Sequence, residues 1–223
     1  MAARRRQIFF VRKDLTSSDF QKTIDNDLWG TDVTFGFQSA INLATQTIDC
    51  IHTTAASHGR VFIVEIMGHK VGWLTLHAGI AGGADIILVP EIPYDINKVA
   101  AAVNKRAKEG KRFSIIAVAE GAISKEQAAL SKKEYKKYIA TRQYPSISYE
   151  IGAKISELTG QEVRVAVPGH MQRGGSPCLM TVSFQQDLAQ QQEDDLRRRV
   201  WLPGRYEEQS YRKDSVSRCC RKA

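Results

Sequence analysis

A chain of 223 residues with 43% hydrophobic and 25% charged side chains is long enough for one α/β domain with a full core. Its net charge of +8 sits mostly at the ends, where residues 1–22 carry 6 Lys+Arg against 2 Asp+Glu and residues 178–223 carry 9 against 7, so the body lacks the basic excess of a nucleic-acid surface. No apolar run approaches the roughly 20 residues that span a bilayer, no secretory leader opens the chain, and Cys50, Cys178, Cys219 and Cys220 form no C-x-x-C pair; the expectation is a cytoplasmic protein with free thiols and neither a membrane nor a nucleic-acid partner.

An apolar patch at Ile8 to Val11, set between basic clusters, reads as a short strand or as unstructured chain. The first stretch that can carry chemistry is KTIDND, Lys22 to Asp27. On a strand, the spacing of Asp25 and Asp27 turns both carboxylates to one side and crowds their charge, raising the pKa of one toward that of a general base. The other reading is an Asp/Asn-rich turn before a helix. Gly30-Thr31-Asp32 signals a helix start, and Phe35, Ala40, Ile41, Ala44, Ile48 and Ile51 recur at helical spacing toward Gly59. Arg60 opens RVFIVEIMG, a β-branched run that fits a central parallel strand with its loop at Met67-Gly68-His69.

The same grammar then repeats. Trp73 to Ala81 predicts a small-residue helix, and ADIILVPE a buried strand closed by Pro90. Asp95 caps a helix over Ile96 to Lys108 that Gly110 stops, and FSIIAVAEG predicts a third strand ending at Glu120. Lys125 to Arg142 reads as polar helix, Ile147 to Leu158 as a helix ended by Gly160, and EVRVAV as a fourth strand running into PGHMQRGGSP. The alternation predicts an α/β fold, a parallel sheet with helices on both faces and a ligand site at the carboxyl ends of the strands. Asp25, Met67 to His69, Glu120 and His170 to Gly175 fall at such ends and suit a phosphorylated polar ligand. Singly, each has a plain alternative: His69 and His170 as surface or core histidines, Arg60 and Arg164 as strand-edge charges, Glu120 as a helix cap, Gly174-Gly175 as a turn.

KTIDND, RVFIVEIMG, GIAGGADIILVPE and PGHMQRGGSP together resemble the phosphofructokinases, in order and at compatible spacing, over roughly residues 22–178. The resemblance implies a glycolytic enzyme that moves a phosphoryl group from ATP or pyrophosphate to the 1-hydroxyl of fructose 6-phosphate, with Mg2+ and as a homo-oligomer. Carried over by position, Asp25 is the catalytic base, Lys22 and Thr23 stand beside the transferring phosphate, and Asp27 helps to hold the metal. Thr23, Ile24 and Asp25 also line the substrate. Arg164, His170 and Arg173 hold the sugar phosphate, and Met171 and Gln172, in the same turn, bind substrate as well. Met67, Gly68, His69 and Glu120 hold the sugar, and Arg60 reaches into a neighbouring subunit's site. Arginine is usual in the family where this chain has His69. Lysine before Thr-Ile-Asp is associated in the family with pyrophosphate, so the donor leans that way.

The family's donor-side glycine-rich loop has no counterpart in residues 1–21, and after RGGSPC the chain leaves the family pattern. The resemblance therefore implies a domain over 22–177, truncated at both ends, between a foreign or frame-shifted segment 1–21 and a foreign or frame-shifted, low-order tail 178–223. Read one base out, codons for LMTVSFQQDLA can encode the family's Pro-Tyr-Asp-Arg continuation, which fits a single-base slip near Cys178 and another near Gln21-Lys22. Two other functions stay open: an inactive remnant or regulatory partner that binds sugar phosphate without turnover, and a basic adaptor acting through its tails.

Overall fold

The computed structural model describes residues 22–29, 31–183, 186 and 190. The stretch 1–21, Cys219, Cys220 and most of the tail from 178, with the expected frame slips, lie outside them. The chain enters on β1 (Lys22–Thr23), which pairs in parallel with β2 (Phe35–Gly36) as a two-stranded sheet of its own. There follow α1 (Phe37–His58), β3 (Val61–Ile66), α2 (Trp73–Ala81), β4 (Ile86–Leu88), α3 (Ile96–Lys108), β5 (Ser114–Ala119), α4 (Lys125–Ala128), α5 (Lys132–Ala140), α6 (Ile147–Thr159) and β6 (Val163–Ala166). A 3₁₀ turn over Gly169–Arg173 comes next.

The second sheet is ordered β4-β5-β3-β6 and is parallel throughout, so β3 and β5 are its central strands. Side chains alternate across a strand, and here both faces are covered. Val64 and Ile66 of β3 and Ile115 and Ala117 of β5 pack on Ala40, Ile41, Ala44 and Ile48 of α1 and on Leu74 and Ala78 of α2. Val61, Ile63, Ile116 and Val118 face the other way, onto Val99 and Val103 of α3 and Ile147, Ile151 and Ile155 of α6. Burying each such Val or Ile contributes about 1.5–3 kcal/mol, which is why these strands read as unbroken apolar runs in the sequence.

The predicted α/β fold with helices on both faces is the observed one, and several ends coincide with their sequence signals. The Asp95 side chain accepts the Asn97 N–H at 3.1 Å and starts α3, while Gly59 ends α1 in a left-handed conformation (φ 63°). Three details differ. Phe35 belongs to β2, and α1 begins at Phe37. The polar stretch from Lys125 breaks into α4 and α5, because Ser124 with Gln127 and Ser131 with Glu134 each form a capping box that starts a separate helix. Regular structure also continues past 177. Residues 179–183 are helical, Thr181 is buried, and Ser39 Oγ accepts the Cys178 N–H at 3.1 Å and meets Thr181 Oγ1 at 3.0 Å. The low-order tail expected from 178 is therefore corrected for these first residues, which α1 anchors. Among the described residues no helix is long and apolar enough to cross a membrane, and Cys50 and Cys178 are free thiols.

Candidate functional site at the carboxyl edge of the sheet

KTIDND adopts the turn rather than the strand. After Thr23 the chain bends, and Asn26 takes a left-handed conformation (φ 53°) that Asn tolerates better than most residues. Thr23 Oγ1 accepts the Asp25 N–H at 3.1 Å, and Asn26 Oδ1 accepts the Thr34 N–H at 2.9 Å. The Thr34 hydroxyl closes the turn by donating to the Thr23 carbonyl at 2.9 Å. Asp25 and Asp27 therefore do not alternate on a strand; Asp25 is partly buried, Asp27 is exposed, and Ile24 is in the core. Lys22 supplies backbone to β1.

The Asp25 carboxyl is raised above the ordinary Asp value, first because burial penalises its charge. Arg173 opposes this, Asp27 and Glu120 reinforce it, and His69 again opposes it. Crowding by Asp27, the cause expected from the sequence, is thus subordinate to burial. The same field shows that Arg173, Asp27, Glu120 and His69 all lie close enough to Asp25 to act on it. Asp25 Oδ1 is buried and has no hydrogen-bond partner among the described residues, an open acceptor aimed at no protein donor.

The loop after β3 is pinned from two sides. Glu120, one residue past β5, accepts the His69 N–H at 2.6 Å and the Gly68 N–H at 3.4 Å through a single carboxylate oxygen, Oε1. Gln172 Oε1 accepts the Met67 N–H at 3.2 Å. Gly68 holds φ 148°, and a Cβ there would sit 2.5 Å from the Val71 carbonyl oxygen; a Cβ on Gly121 would overlap the His69 carbonyl. Only glycine allows these loops to approach so closely. In the turn after β6, His170, Met171 and Arg173 are exposed while Gln172 is 2% exposed.

Arg60 and Arg164 lie elsewhere. Arg60 precedes β3, and Arg164 pairs in register with Phe62 in the amino-terminal half of that strand. Both guanidinium groups bind Glu162, Arg60 at 2.6 Å. Arg164 also lines a cavity of about 350 Å³ between α6 and β6, with Tyr149, Gly152 and Ser156. The structure thus gathers Asp25, Asp27, Glu120, His69 and Arg173, joins Gly68 to Glu120 and Met67 to Gln172 by hydrogen bonds, and separates Arg60 and Arg164 toward the amino edge. Arg164, expected beside His170 and Arg173, is here paired with Glu162, on β6 opposite Phe62 in the amino-terminal half of β3.

No group of three or more His, Cys, Asp or Glu side chains that could hold a metal occurs among the described residues. Magnesium does not need one, since it keeps its waters and binds through one or two carboxylates plus substrate phosphates. The unpartnered Asp25 oxygen and the exposed Asp27 fit that habit.

A parallel sheet with carboxylates, a guanidinium and pinned backbone amides at its carboxyl edge defines an α/β domain of the kind whose ligand sites lie at that edge. Comparison with known proteins says which kind. The family described as Phosphofructokinase matches residues 12–193, and the chain belongs to the phosphofructokinase family. It is 56% identical over 156 residues to the ATP-dependent 6-phosphofructokinase of Spirochaeta thermophila, covering 70% of this chain and 43% of that protein. Among solved structures it is similar to phosphofructokinase from Saccharomyces cerevisiae, with TM-score 0.62 and 35% identity over 73% of this chain and 20% of that one. A pyrophosphate-dependent phosphofructokinase from Nitrosospira multiformis, 24% identical with TM-score 0.56 over 69% of this chain and 37% of that one, shares the fold alone. The chain spans less than half the length of the Spirochaeta protein.

Proposed function

We propose that this domain provides the sugar-phosphate side of a 6-phosphofructokinase, which transfers a phosphoryl group to the 1-hydroxyl of fructose 6-phosphate. One observation carries the reading: Asp25, partly buried with a raised pKa and an unpartnered Oδ1, stands within the field of Arg173, His69 and Glu120. Asp25 takes the proton of the 1-hydroxyl as its oxygen attacks the terminal phosphorus of the donor, and the bond from that phosphorus to the leaving phosphate oxygen breaks. A carboxylate made more basic by burial suits that task. His170 and Arg173 hold the 6-phosphate, and Glu120 with the Met67–His69 loop orients the sugar. Thr23 and Lys22 are assigned to the transferring group by their positions in the family motif. Asp27 would help to hold magnesium, which would supply neutralisation of the phosphate charge. Holding these groups in place supplies most of the catalysis in such reactions. Arg60, and with it Arg164, serves a neighbouring subunit in a homo-oligomer.

ATP is the proposed donor, because the relative 56% identical to this chain is named ATP-dependent, whereas the pyrophosphate-dependent neighbour supports only the fold. The lean toward pyrophosphate drawn from Lys22 gains no support from these relatives. A second reading is binding without turnover, in which the same edge holds the sugar phosphate alone. The test is a coupled assay with fructose 6-phosphate, magnesium and ATP or pyrophosphate in turn, beside calorimetric titration of fructose 6-phosphate. ATP-driven turnover abolished in Asp25→Ala supports the first reading. Binding with no turnover supports the second, and no binding overturns both.

A further inference from the structure

Gln172 differs from its neighbours. It sits in an exposed turn, between Met171 at 75% exposure and the exposed Arg173, yet its own side chain is 2% exposed. A side chain so enclosed cannot line a substrate, which corrects the expectation that Gln172 binds one directly. Both ends of its amide are bonded instead. Oε1 accepts the Met67 N–H at 3.2 Å, across 105 positions of sequence, and Nε2 donates to the Gly169 carbonyl at 3.2 Å. The orientation of the amide is forced, because a backbone N–H can only donate and a carbonyl can only accept.

We propose that Gln172 is a positioning residue that fixes the distance between the Gly169–Arg173 turn and the Met67–His69 loop, a role that rests on the sugar-phosphate reading given above. The two arms come from β6 and β3, whose pairing runs from Val61 and Val163 only as far as Val64 and Ala166, and beyond that pair the ladder between these two strands does not continue. Gln172 extends the connection beyond the ladder. Leucine would keep its volume and make neither bond. Glutamate would keep the acceptor for Met67, lose the donor for Gly169 and bury a charge. A ligand that touches both arms at once feels their separation; a ligand held by the turn alone does not. Gln172 therefore matters for a sugar phosphate and little for free phosphate.

The experiment compares the full chain with Gln172→Leu and Gln172→Glu, titrating fructose 6-phosphate and inorganic phosphate and following amide hydrogen exchange at Met67. In Gln172→Leu, fructose 6-phosphate should bind about tenfold more weakly, the scale of one lost hydrogen bond, while inorganic phosphate changes less than about twofold. Met67 exchange should accelerate in Gln172→Leu and much less in Gln172→Glu, with α1 and β5 amides still protected. Should the leucine variant fail to fold, the glutamate variant carries the test: its Met67 amide stays protected while fructose 6-phosphate binding weakens. Equal weakening of both ligands with loss of protection throughout would reduce Gln172 to a structural residue and overturn the proposal. So would unchanged Met67 exchange in Gln172→Leu. A wild-type chain that binds inorganic phosphate and not fructose 6-phosphate would overturn the functional reading, and the exchange at Met67 would then judge the tie between the arms separately.

Discussion

Two carboxylates removed from water, Asp25 and Glu150, are treated in opposite ways. Glu150 lies in the first turn of α6 at 3% exposure, among Ile147 and Ile151. Its Oε1 accepts from the Tyr138 hydroxyl at 2.6 Å and from Lys154 Nζ at 2.8 Å, and Arg142 Nε approaches Oε2 at 3.6 Å. Burial works to raise this carboxyl, but the hydrogen bonds from Lys154 and Tyr138 and the charges of Lys154 and Arg142 hold it below the ordinary Glu value. Among the described residues the buried Oδ1 of Asp25 receives no donor, and neither does Oε2 of Glu150; what separates the two is that Glu150 gains two bonds at Oε1 and falls, whereas Asp25 gains none and rises. A fold that supplies two direct donors to one carboxylate and none to the other has invested the first in stability. The second is left open for a partner from outside.

The comparison is broken most forcefully at Asp25. Asp25→Asn keeps the shape and removes the base, so turnover in the coupled assay should fall by about 10²- to 10⁴-fold with fructose 6-phosphate affinity little changed. Retained turnover would return Asp25 to the ranks of ordinary turn residues. Glu150→Ala should do the reverse, leaving ligand contacts alone and lowering stability by about 3 kcal/mol in urea titration, because Arg142 and Tyr138 lose their partner. The depressed pKa of Glu150 makes its contribution fully present above the unfolded Glu value and lost as pH falls through the folded one. Tyr138→Phe removes a single bond to the charged group and should weaken the chain by about 1.5–3 kcal/mol, read from the same urea midpoints. The smallest effect sharpens the contrast. A raised Asp25 pKa means that the folded chain binds its proton more tightly, so stability falls as pH rises past the unfolded Asp value, and Asp25→Asn should melt slightly higher than wild type at pH 7. That advantage should vanish in acid, below both pKa values; a lower melting temperature at pH 7 would mean that the carboxylate is satisfied after all.

Much of this architecture was legible. Trp73–Ala81 and Ile96–Lys108 coincide with their predicted limits because a helix of buried small residues and an Asp cap are local signals. β3 and β5 were recognisable as unbroken apolar runs. The site's outline could be read too, since the strand ends carry its residues, but its connections could not. Gln172 reaches Met67 and Glu120 reaches His69 only through the folded sheet, and no spacing in the sequence states such a pairing. The resemblance groups Arg164 with His170 and Arg173, whereas one end of a strand and the turn beyond its other end face different neighbours. The break between α4 and α5 had a signal that went unused, the two S-x-x-Q/E boxes at Ser124 and Ser131. Glu150 had one as well, a charge at i+3 in the stripe from Ile147 to Ile151.

The strand order β4-β5-β3-β6 has a consequence in time. β3 leaves the ribosome first among the four strands of this sheet, yet both of its neighbours, β5 and β6, are made later, each after intervening helices. Until β6 and α6 emerge, one edge and one apolar face of β3 stay uncovered. Pairings this distant in sequence are slow to form and leave strand edges exposed during synthesis. The chain therefore depends on α6 and β6, made long after β3, to shelter that central strand, and a nascent chain stalled before Ile147 is a ready client for chaperones.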